Sequence, residues 1–386
     1  MYTRRVADFD AWLSLSVVAL MGFGLLMIGS ATRISFFGSS AAFDSQLVFI
    51  VLGIIIFLAA VFIDYRFIAS FYLPIYLVCI GLLVFVLLFE PEVAGVQRWI
   101  RFNLGGVTFG LQPSEFAKVF MIIFLAKFLD NQGENINRIK MLGVLAGLVL
   151  LPVVLIILQP SLSAGVIVFV ISLGVLFVGN VGGRNVLVAT CIAAPIAMLL
   201  IYDFGREERI FLHLIVEEYQ LTRIETLVNP EAATADETFQ IERSLQAIGA
   251  GQLRGQGLHQ GHITQTAGLP AAETDFIMSV VGEELGFIGV MGVLVVMLFV
   301  VGRTFYAALR APDLLGRLIC IGVTVKLAFQ TFANVGVVTE ILPNTGVPFP
   351  FISYGGSSLW TSLVAVGLVI NVRMTRAKSI FKEVAI

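Results

Sequence analysis

Ten apolar runs, each near the length that crosses a bilayer as a helix, leave this chain few folds to choose from. They cover residues 11–30, 46–63, 68–89, 111–129, 141–158, 162–179, 185–203, 276–301, 315–338 and 356–372. A helical span needs about 20 apolar residues. The runs are continuous rather than alternating, which predicts helices and not a β-barrel. Of 386 residues, 58% are hydrophobic and 13% charged, against about a quarter charged in a soluble domain. The expected fold is an all-α polytopic integral membrane protein of ten transmembrane helices. Residues 1–386 read as a single transmembrane domain. The first run lacks a small-residue cleavage site and reads as a helix rather than a signal peptide. Runs five and six are separated only by Gln159-Pro160, which predicts a tight hairpin.

Loop charge sets the orientation. With the N-terminus cytoplasmic, the inner segments collect Arg4, Arg5, Arg66, Arg303, Arg310, Arg317 and Arg373, among others. The short outer loops hold Arg33, Arg98 and Arg101. Both termini are therefore expected in the cytoplasm, and the loop of about 204–275, between the seventh and eighth helices, outside. Within that loop, residues 206–228 space apolar side chains by three and four, which predicts an interfacial helix. The glycines at 249, 251, 255, 257 and 261 suggest a close-packed, non-helical stretch. A net charge of −2 gives no general attraction to nucleic acid. Cys79, Cys191 and Cys320 lie in apolar runs and read as packing residues. The three histidines lack metal-ligand spacing.

Four polar constellations fall at the outer face. In GVQRWIRF, Arg98 and Arg101 either anchor the chain with Trp99 in the interfacial belt or cradle an anionic head group. In QPSEFAK, Pro113 suits a first helical position. Glu115 and Lys118 share a helix face inside the fourth run, where ionisable groups face the bundle interior or a wet cavity. In LPAAETDFIMSVVGEELGFIG, Thr274 is placed to cap the eighth helix, with Asp275 in its first turn. Asp275 is either a residue favoured by the helix dipole or a reactive acid. Behind it, Gly282, Gly286 and Gly289 allow close packing. Glu283 and Glu284 are expected to pair with a cation such as Lys326. In NTGVPFPFISYGGSS, Pro348, Pro350, Gly355 and Gly356 interrupt any helix, so Ser353, Tyr354, Ser357 and Ser358 offer hydroxyls in irregular backbone that is buried or lines a cavity.

Together these segments resemble the SEDS family, the RodA and FtsW proteins of bacterial cell-wall synthesis. The matches, GVQRWI, QPSEFAK, the AIGAG and RGQG stretch, LPAAETDFIMSVVGEELGFIG and FPFISYGGSS, follow in family order over residues 95–358. ILPNTGVPFPFISYGG and the length favour the RodA-like branch; the FtsW-like branch stays open. The resemblance implies a peptidoglycan glycosyltransferase that polymerises lipid II at the outer face of the plasma membrane, working with a class B penicillin-binding protein. It implies catalytic roles for Asp275, Glu115 and Lys118. It implies substrate contacts from Arg98, Trp99, Arg101, Ser353, Gly355, Gly356 and Ser357. A divalent cation, Mg2+ or Mn2+, fits a carboxylate-plus-phosphate oxygen site with Asp275 as ligand. Two positions depart from the family pattern: Ser161 stands where an acid is common, and Glu273 where a histidine is common. A lipid flippase is the rival reading of such a bundle. Polar clusters placed mainly at the outer face favour an enzyme.

Overall fold

A computed structural model describes residues 2–32, 40–89, 98–104, 107–133, 136, 138–159, 161–179, 235–266, 268–344 and 346–377. The seventh expected run, 185–203, and the expected interfacial helix at 206–228 lie outside these residues, as does Cys191.

The described apolar runs are helices where the sequence places them. They are α1 (Ala11–Ala31), α2 (Ala41–Phe62), α3 (Tyr65–Ser70), α4 (Tyr72–Phe89), α5 (Pro113–Gln132), α6 (Ile139–Ile157) and α7 (Leu162–Val178). After the undescribed segment come α8 (Ala235–Gly251), α9 (His262–Gln265), α10 (Ile277–Leu309), α11 (Leu314–Val338) and α12 (Gly356–Met374). Seven described helices are long and apolar enough to cross a membrane. Short polar side chains start several of them: Asp10, Ser40 and Asp313 accept from the backbone N–H groups of Leu13, Phe43 and Gly316, satisfying donors that have no partner within the helix.

α11 and α12 are the most enclosed of the candidate spans; α5, α7 and α10 pack on α11, and α2, α5 and α10 on α12. Glycines let the backbones close up, as membrane bundles require. A Cβ on Gly53 of α2 would sit 2.6 Å from Leu363 of α12, and one on Gly367 would sit 2.8 Å from Ala60. Leucine, valine and isoleucine side chains such as Leu15, Val18, Ile55, Leu77 and Leu298 face outward, an apolar belt suited to lipid. Cys79 and Cys320 are buried and free.

Three local expectations are corrected. Two small sheets interrupt the helical plan: β1 (Tyr2–Arg4) pairs with β4 (Thr375–Ala377), and β2 (Ile100–Leu104) forms an antiparallel hairpin with β3 (Val107–Leu111). Gly249 and Gly251, expected outside any helix, end α8. The apolar residues of α8 pack on α10, and that tertiary contact overrides the low helix propensity of glycine. The remaining glycines are close-packed as expected. Finally, α10 continues to Leu309 but breaks at Gly286, whose φ of 66° and ψ of −166° are not helical. Residues 252–257 fill the break. Gln256 and Gly257 donate to Glu283 O and Glu284 O, each at 2.9 Å, while Phe287 donates to Gln252 O at 2.8 Å. A Cβ on Gly286 would lie 2.4 Å from Gly255 N, so only glycine fits both the dihedral and the contact.

Candidate functional site

The eighth-helix carboxylate does not sit where its sequence suggests. α10 begins at Ile277, with Phe276 in the N-cap position and no side-chain cap. Thr274 spends its hydroxyl on Ala271 O at 3.2 Å. Asp275 therefore precedes the helix, half-buried in a turn. The turn is held from three directions. Asn334 Nδ2 of α11 donates to Asp275 O at 2.8 Å and to Val347 O at 2.7 Å. Ser353 Oγ donates to Thr274 O at 2.6 Å and accepts from Phe349 N at 2.7 Å. Tyr354 N donates to Glu273 O at 2.8 Å. Gly346, with φ of +67°, lies so near that an added Cβ would be 3.3 Å from Asp275 Oδ2. The proline-rich segment thus grips the backbone of residues 273–275 and leaves the carboxylate beside a residue with no side chain.

The same segment reaches the hairpin and α5. Ser357 Oγ accepts from Gln112 N at 3.0 Å and donates to Gly110 O at 3.3 Å. Gly110 stands opposite Arg101 in the hairpin, and Trp99 packs on it, 2.9 Å from where a Cβ would be. Arg101 is exposed. Arg98 donates to Gln159 O at 3.3 Å, at the connection between α6 and α7. Gly355 N donates to Gln46 Oε1 at 3.1 Å, and Gly356 opens α12 against Phe49. The hydroxyls of Ser353 and Ser357 are thus used in joining loops. Ser161 lies in the N-cap position of α7 and makes no cap hydrogen bond.

Pro113 occupies the first turn of α5, as its fixed φ favours. Glu115 and Lys118 are both buried and joined at 2.6 Å. Glu115 Oε2 and Ser114 Oγ have no hydrogen-bond partner among the described residues. A buried carboxylate oxygen without a donor is costly.

The expected partnership of Glu283 and Glu284 with Lys326 is overturned. Glu283 accepts from Ile263 N at 2.6 Å, Thr264 N at 3.0 Å and Thr264 Oγ1 at 2.6 Å. Glu284 accepts from Ser30 Oγ and, more weakly, from Gln265 Nε2. Both glutamates cap or tie the chain around α9, because the 252–265 segment folds back onto α10 and brings its own donors. Lys326 is fully buried and donates to Ser362 Oγ of α12 at 2.9 Å. Gln330 and Asn334 were not among the residues singled out from sequence. Their signal was present: Lys326, Gln330 and Asn334 are polar at i, i+4 and i+8 in an apolar run, hence on one helix face.

Among the described residues, no three of His, Cys, Asp and Glu come together as a metal cluster. Asp275 offers a single carboxylate, which suits a cation only if substrate oxygens complete its shell.

The opposite end of the bundle is built differently. β1 and β4 join the two ends of the described chain. Asp10, buried, is paired with Arg303 at 2.7 Å and also with Arg373. Asp313 accepts from Tyr65 Oη at 2.9 Å and from Arg66 at 2.8 Å. Burial first, and then Asp313, pushes the Tyr65 hydroxyl well above its usual range, so it stays a donor.

The family model for the FtsW, RodA and SpoVE proteins, described as cell cycle protein, matches residues 11–378. A relative from Trichlorobacter lovleyi, named probable peptidoglycan glycosyltransferase FtsW, is 36% identical over 95% of this chain and 94% of its own length. A chain from a peptidoglycan synthase complex, described as coordinating polymerization and crosslinking, superposes with a TM-score of 0.75. It is 30% identical, and the match covers 95% of this chain and 97% of that one. The rod shape determining protein RodA of Thermus thermophilus gives a TM-score of 0.66 at 29% identity, covering 95% of this chain and 96% of that one. This chain, whose quoted motifs follow one another through the matched region, belongs to the FtsW, RodA and SpoVE family.

Proposed function

We propose that this protein is a peptidoglycan glycosyltransferase that polymerises lipid II into glycan strands at the outer face of the plasma membrane during cell elongation. The observation that carries the reading is the Asp275 turn, held by three separate hydrogen-bonding elements at one end of a bundle that also buries an ion pair with an unpartnered carboxylate oxygen. Its arrangement in the membrane is ten helices in one domain over 1–386, with the loop of about 204–275 outside and both termini cytoplasmic. The pairing of β1 with β4 supports an even number of crossings, since it keeps both ends on one side.

Chain extension joins the 4-hydroxyl of one sugar to the anomeric carbon of another and expels a lipid pyrophosphate. The carboxylate of Asp275 takes the hydroxyl proton, a contribution of about 100-fold to 10,000-fold for a positioned base. The carbon–oxygen bond to pyrophosphate breaks as the new one forms, inverting the anomeric centre. Arg98, Arg101 and Lys118 stabilise the charge gathering on the leaving group, and Trp99 packs beside the sugar or lipid. Gly355 and Gly356 let the substrate approach the backbone, while Ser353 and Ser357 fix the loop that presents it. A bound Mg2+ or Mn2+, held by Asp275 and pyrophosphate oxygens, would supply further charge neutralisation.

The resemblance to a synthase-complex chain supports a class B penicillin-binding protein as partner, and the apolar outer belt supports direct contact with membrane lipids. The division branch is the second reading, favoured by the FtsW-named relative. Depletion rescue separates the two: restoring rod shape supports elongation, and restoring septation instead supports division.

The central test is purified full-length protein in detergent with fluorescent lipid II. Detergent removes any need for flipping, so glycan product identifies a polymerase. No product from folded wild-type protein with its transpeptidase partner, or normal product from Asp275→Ala, would overturn the assignment.

A further inference from the structure

Among the described residues, Lys326 is a fully buried basic side chain that the mechanism above leaves unused. Three contacts fix its level. A Cβ on Gly322 would lie 2.8 Å from Ile122, so α5 and α11 touch there. The two helices run in opposite directions, because α11 ends and α5 begins beside the same proline-rich segment. Lys118, four residues before Ile122, and Lys326, four after Gly322, are therefore displaced towards the same end of the bundle by one turn. α12 runs parallel to α5, aligned by the Gln112–Ser357 hydrogen bond, which puts Ser362 at the depth of Lys118. Lys326 Nζ donates to that Ser362 hydroxyl at 2.9 Å, at the level of the Glu115–Lys118 pair.

From this layer a polar stripe climbs to the reacting acid. Gln330, one turn above Lys326, donates to Pro348 O at 3.1 Å. Asn334, one turn higher, holds Asp275 O. All three side chains are fully buried, spanning about 12 Å at 1.5 Å per residue. Gln330 Oε1 and Asn334 Oδ1 have no partner among the described residues. A stability role explains neither the orphaned acceptors nor a lysine whose hydrogen bond goes to a neutral hydroxyl.

We propose that Lys326 is a positioning residue for glycosyl transfer: a second buried amine that joins the Glu115–Lys118 layer beneath the site where pyrophosphate departs. Resting on the polymerase reading, this makes the layer pre-organised for charge that grows only in the transition state, so its loss falls on kcat.

The test is Lys326→Met in full-length protein, assayed with its transpeptidase partner on fluorescent lipid II, with wild type and Asp275→Ala alongside. Removal of a supporting amine predicts a fall in kcat of about 10-fold to 100-fold, with KM within about threefold. The melting temperature in detergent should hold or rise, because a thioether replaces a desolvated amine. A kcat within about threefold of wild type, a loss confined to KM, or a loss that follows a lowered melting temperature or failure to fold would each overturn the role. Inactive wild-type protein would instead overturn the polymerase reading itself.

Discussion

The two ends of this bundle spend their buried charges in opposite ways. At the end where β1 and β4 pair, Asp10 is matched by Arg303 and Arg373, and Asp313 by Arg66 and Tyr65. At the other end, Glu115 Oε2, Gln330 Oε1, Asn334 Oδ1 and Gln159 Oε1 are buried without partners among the described residues. Burying an unsatisfied polar atom costs about 1–3 kcal/mol, so four in one region weigh against a purely architectural purpose. The first end is arranged to hold, the second to be completed by something that arrives.

That contrast can be broken by exchanging which property each end loses. Asp275→Ala should show the largest effect, loss of polymer by about 100-fold or more with unchanged folded yield, measured by gel analysis of fluorescent lipid II products. Glu115→Gln should come next, lowering turnover by about 100-fold while the protein stays monodisperse on size exclusion. At the opposite end, Asp10→Asn should strand two arginines and destabilise by about 3 kcal/mol, read as a lower melting temperature. Its turnover per folded molecule should stay at the wild-type value; a turnover loss without unfolding would erase the distinction between the ends. Ser353→Ala leaves Phe349 N without an acceptor and frees Thr274 O, so a mixed outcome is expected: about 1–3 kcal/mol of stability together with reduced turnover. The smallest effect belongs to Tyr65→Phe, about 1 kcal/mol in thermal unfolding and none in turnover.

The architecture was largely legible, because a bilayer-length apolar run has few alternatives to a helix, and each described apolar run is helical; α8 and α9 lie outside those runs. Glu115 and Lys118 were legible for a related reason: i, i+3 spacing within an apolar run puts two charges on one buried face. Local termination was not. Thr274 and Asp275 have the chemistry of a cap and a first-turn acid, yet hydrogen bonds from Asn334, Ser353 and Tyr354 hold that turn outside the helix, and all three come from distant sequence. Glu283 likewise found donors at Ile263 and Thr264 rather than at Lys326, since the fold-back of 252–265 has no periodic signature. Gln330 and Asn334 could have been noticed from spacing alone; their connection to Asp275 could not.

The break at Gly286 has a consequence for how the molecule opens. The 252–257 segment and α10 share backbone hydrogen bonds across the gap, so neither can release without the other. The amide protons of Gln256, Gly257, Phe287 and Ile288 should therefore exchange with deuterium as one cooperative unit, with a single opening free energy, although the first and the last are 32 positions apart in sequence.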